Sequence, residues 1–63
     1  MDNNVIIKIY TDRGVYYVED ITDPYEACRY AAVSFLDANM DVMIFSAERV
    51  SRDNIYINES RIL

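Results

Sequence analysis

The alternation of apolar and polar positions divides the chain into strand-like and helix-like stretches. Val5 to Thr11 (VIIKIYT) is β-branched and aromatic with a single charge, the pattern of a strand. Asp12-Arg13-Gly14 interrupts it, and Val15 to Asp20 (VYYVED) reads as a second strand. A three-residue loop ending in glycine suits a type I turn closed by a residue at positive φ, and Gly14 is the one glycine in the sequence. This register predicts Thr11 opposite Val15, Ile9 opposite Tyr17 and Ile7 opposite Glu19. One face then carries Val5, Ile7, Ile9, Val15 and Tyr17. The other carries Ile6, Lys8, Tyr10, Tyr16 and Val18, so neither face is polar.

Asp23-Pro24-Tyr25-Glu26 is a helix start. Asp23 can cap, Pro24 takes the first helical position where its missing N–H is harmless, and Glu26 completes a capping-box pattern. The helix is expected to run to about Ala38, with Asn39 as a left-handed terminator. At 100° per residue, Tyr25, Cys28, Ala31, Ala32, Phe35 and Leu36 fall on one stripe, predicted to be the buried one. Glu26, Tyr30, Val33 and Asp37 fall opposite. Val42 to Ala47 (VMIFSA), extending towards Val50, predicts a third strand, and Ile55 to Asn58 a fourth after the polar turn Ser51 to Asn54.

The expected architecture is therefore α+β, in the order ββαββ. One helix packs on one face of a four-stranded antiparallel sheet with strand order 2-1-3-4. Val5–Thr11, the most continuously apolar strand, lies at its centre. The whole chain, 1–63, is read as a single domain. One helix covers one face of such a sheet, and the face left over is apolar and aromatic around Lys8.

Composition narrows the function classes. The chain is 52% hydrophobic with one Gly and one Pro, which excludes disordered and low-complexity chains. No apolar run approaches the roughly 18 residues of a membrane span. Met1-Asp2-Asn3-Asn4 is the reverse of a basic signal-peptide start. A single cysteine cannot make an internal disulfide, so the expected compartment is the reducing cytoplasm. With neither a disulfide nor a Cys/His cluster for zinc, so short a chain needs an efficient core or one extended across a subunit interface.

Catalytic chemistry has little to draw on. Without histidine, no Ser-His-Asp or Cys-His arrangement is possible, and the common metal ligand is missing. The eleven acidic residues are scattered through caps, turns and strand ends such as Asp12, Asp23 and Asp53. Cys28 lies in the early turns of the helix, where the dipole lowers a thiol pKa, but it lacks a base and sits on the expected buried stripe. The sequence accordingly implies no enzyme, no cofactor and no metal.

The side chains that folding leaves unexplained are candidates for contact. Lys8, Tyr10, Tyr16 and Val18 would form the open sheet face, and Tyr30 and Val33 the outer helix face. Glu19, Asp20, Asp37 and Asp41 are candidate acidic contacts that would steer a basic partner. Tyr and Arg, enriched in protein interfaces, make up six residues and five of the six cations. Stacking of single-stranded nucleic acid on Tyr10 and Tyr16 is the competing use of the sheet face. A net charge of −5 argues against it, because phosphate binding needs a basic stripe.

Tyr16-Tyr17-Val18-Glu19, Asp23-Pro24-Tyr25-Glu26-Ala27 and Met43-Ile44-Phe45 lie within Val15 to Ala47, about half the chain. Together they resemble the strand–helix–strand unit of small phage and prophage accessory proteins, anti-CRISPR and other anti-defence inhibitors among them. The resemblance implies a short, acidic, oligomeric inhibitor of a host or defence protein, working in the host cytoplasm. The expectation is thus a homodimeric protein-binding module, with a structural or regulatory homo-oligomer as the alternative.

Overall fold

The computed structural model describes residues 4–54 and 59–63. Strand β1 (Val5–Thr11) and strand β2 (Gly14–Val18) form a hairpin, helix α1 (Pro24–Asp37) crosses over, and strand β3 (Ile44–Ser51) returns. Two short 3-10 turns, Arg52–Asn54 and Glu59–Arg61, follow. The sheet is antiparallel and three-stranded, ordered β2-β1-β3. The expected central strand and helical crossover are present.

The four-stranded sheet is not. Ile55 to Asn58, the expected fourth strand, lies outside the described residues. The chain before it turns into a 3-10 helix, and the chain after it goes to the opposite edge of the sheet. There Ile62 pairs with Tyr17 in parallel, and the Leu63 N–H donates to the Tyr17 carbonyl at 2.8 Å. The described sheet ends at β3.

The hairpin register also differs, by one residue. Thr11 pairs with Gly14, Ile9 with Tyr16 and Ile7 with Val18. The loop is the two residues Asp12 and Arg13, held by the Thr11 hydroxyl, which donates to the Gly14 carbonyl at 2.7 Å and accepts from the Arg13 N–H at 3.0 Å. Gly14 does take positive φ, at 107°, but as the first residue of β2 and not the last of the loop. Because side chains alternate with period two, a one-residue slip turns every β2 side chain over. Tyr16 and Val18 therefore join Ile7 and Ile9 under the helix, while Val15 and Tyr17 share the second face with Ile6, Lys8 and Tyr10.

Helix α1 starts and stops as its sequence dictates. The Asp23 carboxylate accepts from the Glu26 N–H at 3.0 Å, with Pro24 in the first turn. At the far end Asn39 takes φ 61°. Its N–H donates to the Leu36 carbonyl and that of Met40 to the Phe35 carbonyl, the paired bonds of a Schellman ending. The core under the helix consists of Ile7, Ile9, Tyr16, Val18, Ala27, Ala31 and Phe35. Ile21, Cys28, Met40, Val42, Ile44, Ala47 and Leu63 close its margins. The second face is not uniformly open, since Ile6 is fully buried and Tyr17 nearly so.

Candidate functional site

The orientation of α1 decides which side chains are left for contact. Ala27, Ala31 and Phe35 recur at four-residue spacing and are all buried. Two alanines in this stripe let the helix backbone lie close to β1 and β3, where bulkier groups would hold it off. The helix is thus rotated from the expected setting. Tyr25 and Leu36, expected in the core, are 68% and 74% exposed. Ala32 is exposed beside them.

The outer face of α1 consequently presents Tyr25, Tyr30, Val33 and Leu36 to solvent, with Arg29 and Asp37 between them. Tyr30 and Val33, expected here, are 45% and 56% exposed. Ile21, Glu26, Arg29, Tyr30 and Val33 line a shallow groove of about 400 Å³ where the β2–α1 loop meets the helix. Neither Arg29 nor Asp37 takes part in an ion pair with a described residue; the ion pair among the described residues joins Arg52 to Glu19 at 2.5 Å.

The sheet-face candidates divide in two. Lys8 and Tyr10 lie on the second face as expected, but they are occupied with their neighbours. The Tyr10 hydroxyl donates to the Glu48 carboxylate, and the Lys8 ammonium lies 5.1 Å above the Tyr10 ring. Lys8 is also directly opposite Glu48 in the β1–β3 register. Tyr16 and Val18 belong to the core instead. The Tyr16 ring meets Phe35 edge-on at 4.9 Å, and the Arg61 guanidinium lies 4.7 Å above it. Arg61 also donates to the Arg13 carbonyl at 2.9 Å, so the C-terminal residues cover β2 where the helix does not. Tyr10 and Tyr16 do not share a face.

The acidic candidates are dispersed. Glu19 and Asp20 stand at the end of β2, Glu19 paired with Arg52 and Asp20 exposed at φ 67°. Asp37 and Asp41 are exposed at the far end of the helix. Among the described residues, no group of three or more carboxylates or thiols could hold a metal ion. Burial pushes the pKa of the half-buried Cys28 thiol up, which favours packing over nucleophilic use. No described helix is long and apolar enough to cross a membrane.

Tyr25, Leu36, Met43 and Phe45 are exposed large side chains that the sequence pattern did not single out as surface. For Tyr25 and Leu36 the usable signal was the spacing of the alanines, because Ala27 and Ala31 mark the side where a sheet fits. Met43 and Phe45 lie where β3 begins, with the Met43 N–H bound to the Asp12 carboxylate at 2.9 Å and a register shift opposite Tyr10 and Thr11. Comparison with family models, with curated proteins and with solved structures finds no match to this chain.

Proposed function

We propose that this chain is a protein-binding module that acts by surface contact and not by catalysis, with the outer face of α1 as its contact surface. The observation that carries it is the set of four large apolar side chains, Tyr25, Tyr30, Val33 and Leu36, exposed by 45–74% on one side of one helix. Single exposed apolar residues are ordinary, whereas four large ones on one helix face, with Arg29 and Asp37 among them, supply the mix of aromatic, aliphatic and charged groups from which contact surfaces are built. Tyrosine in particular supplies large, stiff contact area with a polar tip. The second sheet face is the weaker candidate, because Ile6 and Tyr17 are already buried there, and Tyr10 is engaged by the Glu48 carboxylate and by the Lys8 ammonium over its ring. Tyr17 takes the place of Tyr16 on that face but is buried, so half of the platform on which single-stranded nucleic acid would stack is unavailable.

In its most specific form the module is an inhibitor of a host or defence protein, a step supported by the resemblance to small phage accessory proteins. The alternative, a structural or regulatory homo-oligomer, uses the same helix face. Val33→Asp tests the contact surface common to both. Its melting temperature should match the parent in dilute solution, while self-association and capture of protein from a host lysate should fall together or singly. Undiminished association of both kinds would move the contact surface off α1.

A further inference from the structure

Resting on the assignment of the α1 outer face as a contact surface, we propose that its partner is a second copy of this chain. The two helices would lie antiparallel about a two-fold axis through Val33. The face is self-complementary under reversal about that residue. Four positions to one side stands Arg29 and four to the other Asp37; three to one side stands Tyr30 and three to the other Leu36. An antiparallel pair related by a two-fold axis sets residue 33+n of one helix against 33−n of its partner. Val33 then meets Val33, Tyr30 meets Leu36 twice, and Arg29 meets Asp37 twice. All five side chains are exposed, and Arg29 and Asp37 form no ion pair within the described chain.

The geometry suits the pairing. At a rise of ~1.5 Å per residue, each Arg29–Asp37 pair lies about 6 Å along the helix from the axis. That is within the 14-residue span of α1 and beside its apolar centre. A parallel arrangement would instead set Arg29 on Arg29 and Asp37 on Asp37, so the charges choose the orientation as well as the partner. A domain of this size also gains proportionately from burying apolar surface between copies.

The test is sedimentation equilibrium across the micromolar range with two charge reversals, Arg29→Asp and Asp37→Arg, alone and mixed. The parent should approach twice the 7.4 kDa chain mass. Each variant alone sets like charges together twice and should dimerise at least about tenfold more weakly. Mixed in equal amounts, the two should recover dimer. One copy then carries acid at both positions and the other carries base at both, so both opposite-charge pairs are restored. Asp37→Arg should meanwhile leave the dilute monomer as stable or more so, since a cation suits a helix C-terminus. That separates lost pairing from lost folding. A parent that stays monomeric, or reversals without effect, or a mixture that fails to recover, overturns the proposal. A monomer that captures a foreign protein only while Val33 is intact overturns self-pairing and leaves the contact surface standing. Indifference of self-association and capture alike to Val33→Asp removes both.

Discussion

The two sides of α1 invert the usual expectation for a surface helix. Its inner side is built from Ala27, Ala31 and Phe35, two of them among the smallest side chains available, and all are buried. Its outer side carries Tyr25, Tyr30, Val33 and Leu36, all larger than alanine, and all remain at least 45% exposed. Ala27 and Ala31 let the helix approach β1 and β3 closely, and Phe35 fills the space beyond them against Tyr16. The same inversion separates two duties. The inner side holds the fold together, and the outer side is the surface proposed for a partner.

The comparison can be broken most forcefully from the inner side. Phe35 is 3% exposed and meets Tyr16 edge-on, so Phe35→Ala should destabilise by about 3–5 kcal/mol. Against a small domain's margin of ~5 kcal/mol, that leaves about 0–2 kcal/mol, which at the larger loss unfolds about half of the population at room temperature. A thermal or urea melt measures it, and a loss below ~1 kcal/mol would mean that the inner side is not the core side.

A smaller effect is expected where the hairpin sets which β2 side chains reach that core. Gly14 has φ 107°, and a Cβ added there would lie 3.2 Å from the Arg61 guanidinium that covers Tyr16. Gly14→Val should therefore lose roughly 1–3 kcal/mol through backbone strain, with some displacement of Arg61. An unchanged melting temperature would contradict the positive φ and the two-residue loop.

The smallest effect belongs to the outer side. Leu36→Gln and Tyr25→Gln keep good helix formers at exposed positions, so each should shift monomer stability by less than ~0.5 kcal/mol in dilute solution. A loss of ~2 kcal/mol or more for Leu36→Gln would place Leu36 in the core and erase the distinction between the two sides.

Local chemistry was well legible in the sequence. Asp23-Pro24 at the start of α1 and Asn39 at its end specify caps that depend on neighbours within a few residues, and both form. The composition of Val5–Thr11 named the central strand with its bounds. Features that depend on choosing between two apolar faces were not legible. Tyr16 and Tyr17 are both tyrosines flanked by valines, so a one-residue slip of the hairpin exchanges them without changing the hydrophobic pattern. Tyr25 and Leu36 compete with Ala27 and Ala31 for the sheet on nearly equal terms by hydrophobicity, and periodicity alone misassigned them. The outer-face position of Tyr30 and Val33 was legible because they lie opposite Phe35 in either rotation. Of the sheet-face set, Lys8 and Tyr10 keep to the second face, while Tyr16 and Val18 turn inward with the register.

The division of labour between the two sides of α1 is tested most directly by amide chemical-shift mapping of the parent chain across a dilution series. Shifts that move with concentration should concentrate at Arg29, Tyr30, Val33, Leu36 and Asp37, with Lys8, Tyr10 and Glu48 nearly still. Movement confined to Lys8, Tyr10 and Glu48, with α1 unchanged, would show that the sheet is the contact surface and that the outer side of the helix merely faces water.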